Sequence, residues 1–154
     1  MEIMLVCSGN TCRSPLAAAM LRERLAGEPT LQHLTVSSAG TSAWDGAPAS
    51  EGSYLVALER GLDLSGHRAR MATVALVEQA DLILTMSAAH AQRVNALGGG
   101  TKAISLAAFA GEPEGVTEVP DPYGGDVEDY RATAELLDRL LELTVARLRA
   151  EQGR

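Results

Sequence analysis

Two cysteines in 154 residues are too few for a disulfide framework, and the three histidines fall into no metal-ligand spacing. Neither cross-links nor a metal is therefore expected, and no cofactor either. No apolar run approaches membrane-spanning length, and the N-terminus runs straight into a strand without the basic region, apolar stretch and cleavage site of a secretory leader. These absences lead to the expectation of a cytoplasmic protein with no membrane partner. Basic clusters are scarce as well: a formal charge of −7 disfavours nucleic acid, whose binding draws on clustered Lys and Arg, and leaves basic or neutral partners easier to accommodate. Also missing is a Gly-x4-Gly-Lys-Ser/Thr loop, which disfavours nucleotide hydrolysis. With no linker or repeat to divide it, residues 1–154 are expected to form one domain, large enough to bury its own core, and to act as a monomer.

What the chain does contain is concentrated near its start. Cys7-Ser8-Gly9-Asn10-Thr11-Cys12-Arg13-Ser14-Pro15 follows the apolar run Ile3-Met4-Leu5-Val6, at the point where a buried strand would turn into a helix. A loop in that position turns successive backbone N–H groups inward, and the helix N-terminus adds partial positive charge, so an oxyanion is bound largely by main chain. Gly9 suits a tight backbone, and Asn10 tolerates a left-handed conformation. Ser14 reads as a helix cap and Pro15 as a first-turn residue. Arg13 is placed to fork onto two phosphoryl oxygens. The dipoles that attract phosphate also favour a thiolate, which makes Cys7 a nucleophile. An isolated cysteine at a strand end is more often ordinary buried packing; the loop chemistry around Cys7 weighs against that here.

Periodicity supplies the frame. Short apolar runs at Ile3 to Val6, Leu34 to Ser37, Leu82 to Met86 and Lys102 to Leu106 read as strands covered on both faces. Helical patterns occupy residues 15–26, 49–60 (stopped by Gly61), 87–97 (before Gly98-Gly99-Gly100) and 126–150. In the last of these, Val127, Tyr130, Ala134, Leu137, Leu141 and Leu148 share a face, with Glu135 and Arg139 paired outside. Arg147 and Arg149 complement the helix dipole at its end, and Arg68, Arg70 and Arg93 read either as part of a docking surface or, as exposed charges more often do, as a solvated face, and are assigned no function. The alternation predicts an α/β fold of three layers, a four-stranded parallel sheet flanked by helices on both sides, with the ligand crevice at the carboxyl ends of the strands.

A thiol phosphatase also needs an acid to protonate its leaving group. Asp121 is the candidate, in the turn-rich segment Val119-Pro120-Asp121-Pro122-Tyr123-Gly124-Gly125 just before the last helix. By itself that segment is as readily a Pro-Gly turn; beside the Cys7 loop it reads as a catalytic acid.

Val6-Cys7-x-Gly9-Asn10-x-Cys12-Arg13-Ser14-Pro15 with a late Asp121-Pro122-Tyr123 resembles the low-molecular-weight protein tyrosine phosphatase family over essentially the full length. The resemblance implies a protein phosphatase acting on phosphorylated protein through a phosphocysteine on Cys7, with Arg13 as clamp and Asp121 as acid and base. It implies that Ser8, Gly9, Asn10, Thr11, Cys12 and Ser14 form the phosphate-binding loop, that Asn10, Ser38 and His67 brace it, and that Ser14 hydrogen-bonds the thiolate. Ser38-Ala39-Gly40-Thr41 with Trp44 resembles the family's second strand and pocket wall, and His67-Arg68-Ala69-Arg70 its bracing segment. Thr11, Trp44 and Tyr123 would shape the substrate pocket. Thr11, where tyrosine phosphatases carry a bulky aliphatic residue, resembles the protein arginine phosphatase branch, as does Asp121-Pro122-Tyr123-Gly124-Gly125. Ser8 and Tyr123 depart from that branch, which often has Thr and Phe there. Phosphoarginine is thus slightly favoured over phosphotyrosine.

Cys12, five residues from Cys7, is placed for a reversible disulfide that protects the nucleophile, or else is a small buried loop residue. Three rival functions fit the chain less well. An arsenate reductase needs relay cysteines beyond Cys12, a non-catalytic phosphate-binding module would lack Asp121, and a disulfide oxidoreductase would show Cys-x-x-Cys.

Overall fold

All of β1, Glu2–Cys7, is buried except Glu2, as an apolar strand covered on both faces must be. The computed structural model describes residues 1–152. β1 pairs in parallel with β2 (Thr35–Gly40) on one side and β3 (Leu82–Thr85) on the other, and β3 pairs with β4 (Ala103–Ser105), giving the order β2-β1-β3-β4. The chain leaves β1 for β2 and later returns across it to β3, so a crevice opens at the carboxyl end of β1. Cys7, opposite Gly40 in register, is the last residue there.

Alternate side chains of β1 feed two cores. Ile3, Leu5 and Cys7 join a layer made with α1 (Arg13–Ala26), α2 (Glu51–Glu59), α5 (Leu106–Ala110) and α6 (Val127–Gln152). Met4 and Val6 face the opposite layer, with α3 (Val74–Gln79) and α4 (Ala88–Val94) contributing Val77, Ala91 and Val94. The three-layer architecture is the one the alternation predicts. On α6, Leu137, Leu140 and Leu141 are fully buried, each stabilising by about 1.5–3 kcal/mol. Asp126 and Asp129 exchange backbone bonds at its start, each N–H donating to the other's carboxylate at 3.0 Å, a reciprocal cap.

Several expectations are corrected. The second strand starts at Thr35 and runs on to Gly40, where the sequence pattern predicts Leu34 to Ser37. The apolar run from Lys102 divides: Ser105 ends β4, and its hydroxyl accepts the N–H of Ala108 at 3.2 Å, so Leu106 starts a helix instead of finishing a strand. α3 is unforeseen, and it is fixed by the Thr73 hydroxyl accepting the N–H of Leu76. α4 stops at Val94 and passes into a π-type turn over Asn95–Gly99, with Gly98 at φ 95°. Arg139 does not pair with Glu135; it reaches Glu112 at 3.1 Å and Glu114 at 3.0 Å. Arg147 lies over the Phe109 ring and donates to the Phe109 carbonyl, while Arg149 pairs with Glu28, so both hold specific partners beyond any dipole effect.

Candidate active site

Between the end of β1 and the start of α1, the backbone of the loop is turned inside out by its neighbours. Its carbonyls are taken from outside: Cys7 O by the N–H of Thr41, Ser8 O by that of Ser42, Thr11 O by that of Ser50, each at 2.9 Å. The imidazole Nε2 of His67 reaches Asn10 O at 2.6 Å, and the Ser53 hydroxyl donates to Cys12 O at 2.9 Å. With the carbonyls held outward, the amides turn the other way. Among the described residues, those of Ser8 through Cys12 have no protein acceptor, the arrangement that an oxyanion completes.

Asn10 makes the curl possible. It is fully buried at φ 56°, a left-handed backbone that Asn tolerates better than most residues. Its Nδ2 donates to Ser14 Oγ at 2.8 Å and Ser38 Oγ at 2.9 Å, and its Oδ1 accepts the N–H of Arg70 at 3.0 Å. Gly9 is not left-handed, and a Cβ there would meet only Thr11 Oγ1, 3.5 Å away. The expected cap is corrected: Cys12 occupies the position before α1 and makes no capping bond. The Ser14 hydroxyl lies instead 3.0 Å from Cys7 Sγ, tying the thiol to Asn10.

Cys7, Gly9, Thr11 and Cys12 line a cleft of about 140 Å³ together with Arg13, Asp121 and Tyr123. Arg13 is buried; its Nη1 donates to Val119 O at 2.9 Å, its Nη2 stands 3.6 Å from Asp121 Oδ2, and its Nε has no protein partner. A guanidinium pinned at one corner keeps a fork of donors for a ligand. Asp121 is half-exposed, and its Oδ1 accepts the N–H of Tyr123 at 3.0 Å, which fixes the carboxyl at the turn. The Val119 N–H donates to Met86 O at 2.8 Å, anchoring this segment to the end of β3.

The structure thus brings Cys7, Arg13 and Asp121 to one cleft, with Asn10, Ser14, Ser38 and His67 bonded around the loop. Burial, aided by Arg22 and Arg68, lowers the proton affinity of His67. Tyr123 reaches the cleft although 77% exposed; Trp44, 85% exposed, does not line it. Both cysteines are buried free thiols, and Cys12 Sγ lies 3.2 Å from Ser50 Oγ and 3.6 Å from Tyr130 Oη. Among the described residues, no three His, Cys, Asp or Glu side chains gather as a metal would need.

His90 escaped the sequence reading. Its Nε2 lies 2.8 Å from Ser8 Oγ and its Nδ1 2.7 Å from Ser87 Oγ, joining the loop to the cap of α4. Burial, then the charges of Arg13 and Arg93, lower its proton affinity. The available signal was Ser87-x-x-His90, a cap followed by a first-turn side chain beside a strand end. Arg70 lies in the segment that the resemblance reads as bracing, and its N–H does hold Asn10, whereas its side chain, expected only as a solvated charge, donates to Ser38 O at 2.8 Å.

Comparison with known proteins fits this geometry. The profile of a family described as low molecular weight phosphotyrosine protein phosphatase matches residues 2–154. A probable low molecular weight protein-tyrosine-phosphatase, EpsP, of Ralstonia nicotianae is 37% identical over 149 residues, 96% of each chain. A protein-arginine-phosphatase of Geobacillus stearothermophilus is 32% identical over 153 residues, 98% of each. A solved structure described as YwlE arginine phosphatase, C7S mutant with phosphorylated active site serine, superposes with a TM-score of 0.88 at 30% identity, covering 97% of this chain and 96% of that one.

Proposed function

Because the chain belongs to the low molecular weight phosphotyrosine protein phosphatase family, and so to the cysteine-dependent protein phosphatases, we propose that it hydrolyses phosphoarginine on proteins in preference to phosphotyrosine. The observation that carries the substrate assignment is Thr11 in the wall of the cleft, alongside Asp121. A phenyl ring wants apolar walls; a guanidinium presents N–H donors that the Thr11 hydroxyl and the carbonyl oxygen of the protonated Asp121 carboxyl accept, the Asp121 proton being kept for the leaving nitrogen. Relatives named for either activity match at similar identity, so overall likeness does not choose between them.

In the proposed cycle, Cys7 Sγ attacks phosphorus in line with the leaving nitrogen. The S–P bond forms as the P–N bond breaks, and the Asp121 proton goes to the departing nitrogen. Water then attacks the phosphocysteine, giving up its proton to Asp121, and the S–P bond breaks to release phosphate and the thiolate. The loop amides, with the Nε and Nη2 donors of Arg13, hold the phosphoryl oxygens through both steps. Asn10, Ser38 and His67 keep the amides aimed, and Ser14 stabilises the sulfur between turnovers. Tyr123 serves as a wall of the pocket. No metal or cofactor enters the scheme, and the protein acts as a monomer in the cytoplasm. A disulfide between Cys7 and Cys12 would shield the nucleophile from irreversible oxidation, which mass spectrometry after peroxide treatment reads directly. A strict tyrosine phosphatase is the second reading, favoured by the departures at Ser8 and Tyr123 from the arginine branch.

The deciding experiment is parallel kinetics on phosphoarginine and phosphotyrosine peptides. A higher kcat/KM for the arginine peptide is expected, with Thr11→Ile shifting the ratio toward the aryl phosphate. A preference of the unaltered protein for the tyrosine peptide rejects the arginine assignment.

A further inference from the structure

The residues that brace the catalytic loop also form a wall of a second groove, of about 440 Å³, between α1, β2 and residues 63–70. It shares no lining residue with the Cys7 cleft. Three guanidinium groups converge on it, Arg22 from α1 and Arg68 and Arg70 from the bracing segment, in a chain of net charge −7. Each is held by main-chain carbonyls. Arg22 Nε and Nη2 donate to Val36 O at 3.2 and 2.9 Å, Arg68 Nη1 to His67 O at 2.7 Å, and Arg70 Nε to Ser38 O at 2.8 Å.

Among the described residues, none of these three has a carboxylate within 4.0 Å, whereas Arg13, Arg24, Arg60, Arg131, Arg139, Arg147 and Arg149 all do. The groove's one acid, Asp63, spends an oxygen on the N–H of Ser65 at 2.8 Å. Burial lowers the proton affinity of Arg22, a cost that no nearby anion offsets. On the same wall the Ser37 hydroxyl is buried without a partner. Carbonyl-anchored arginines with no counter-charge are pre-oriented donors, and guanidinium forks match phosphoryl oxygens. The volume suits a small molecule.

We propose that this groove is a second, non-catalytic site for a small soluble phosphate-bearing anion, and that its occupancy is felt at the catalytic loop through Asn10. Ser38, His67 and Arg70 all line the groove and all bond Asn10, at 2.9, 2.6 and 3.0 Å. An anion that draws on Arg70 or His67 therefore shifts the residue that sets the curl of the loop, and by linkage a filled loop changes the groove's affinity by the same factor. Only this coupling rests on the function proposed above; binding in the groove does not.

The groups facing His67 are Arg22 from α1 and Arg68, Arg70 and Asp63 from its own segment. A bound dianion offsets the cations and raises the pH at which His67 titrates, which gives a local readout. The test is titration of pyrophosphate into the full chain with the catalytic loop saturated by vanadate, following the His67 imidazole by NMR. Saturable binding in the presence of vanadate is expected, with the His67 midpoint moved upward. Arg22→Ala and Arg68→Ala should each weaken it at least tenfold, with circular dichroism and thermal unfolding showing that both variants remain folded. Loss of pyrophosphate binding under vanadate, or unchanged affinity in both variants, overturns the site. Co-sedimentation with phosphoinositide vesicles that pyrophosphate fails to compete overturns the small soluble ligand. Absence of aryl phosphate hydrolysis by the unaltered protein would instead strike the catalytic reading, leaving the titration to stand by itself.

Discussion

The imidazole of His90 stands 2.8 Å from the hydroxyl of Ser8, the residue next to Cys7, although 82 positions separate them. Its other nitrogen is held by Ser87 at 2.7 Å, so the ring bridges the first turn of α4 and the Cys7 loop with both nitrogens engaged. His90→Phe keeps the volume and removes both bonds. Turnover of an aryl phosphate is expected to fall about tenfold, consistent with about 1.4 kcal/mol. Ser8→Ala should give a similar loss, and the double variant no more than either single change, because one bond is removed in all three. Additive losses would dissolve the link.

Asn10→Ala removes three hydrogen bonds, two of them fully buried, and the residue type that tolerates φ 56°. At about 1 kcal/mol for each bond, plus the desolvation cost of the polar groups left behind, stability should drop by about 3 kcal/mol in urea titration. Asn10→Gly relieves the backbone but not the bonds and should recover only a fraction of that.

Gly40 faces Cys7 across β1 and β2, and a Cβ there would collide with the Ser8 carbonyl oxygen while lying 2.9 Å from Ala43 Cβ. Backbone cannot yield as a side chain would. Gly40→Ala should cost about 1–3 kcal/mol in thermal unfolding and also lower turnover, since relief requires moving Ser8. Unimpaired catalysis in a destabilised variant would mean that the strain is absorbed on the β2 side.

Stability should fall as pH drops below about 6.5. His67 and His90 bind a proton less readily in the folded chain than at their ordinary value of 6.5, each chiefly through burial. The unfolded chain then holds more protons in that window, so acidification favours unfolding; above it their contribution is complete. His67→Gln and His90→Gln should each flatten the slope of unfolding free energy against pH in this window. An unchanged slope in both would assign the acid sensitivity to other groups.

The loop was legible because its chemistry is local. A strand, seven spaced residues and a helix start lie within a dozen positions, and the parallel sheet with helices on both sides follows from alternation. Elements decided by tertiary context were not. α3 is too short for a 3.6-residue period to emerge, and the apolar stretch from Lys102 to Ala110 hides a strand-to-helix change that turns on the Ser105 hydroxyl. The local pattern at Ser14 reads as a cap because capping and thiol-binding use the same hydroxyl; the resemblance alone implies the bond to Cys7, and the placement of Asn10 and Cys7 directs the hydroxyl there. His90 and Arg70 act across 82 and 60 residues, distances over which single-sequence patterns carry no signal.

The carbonyls of the Cys7 loop are tethered from β2's end, from α2 and its preceding Ser50, and from the His67 segment, whereas the Asp121 strap is fastened to the body mainly at Val119. The floor of the site therefore shares the cooperativity of the whole fold and opens only when the domain does. Freedom to admit a bulky phosphorylated side chain, and to let the spent one leave, belongs to the roof. Evolution can retune the pace and breadth of such an enzyme by editing a few turn residues above an unaltered foundation.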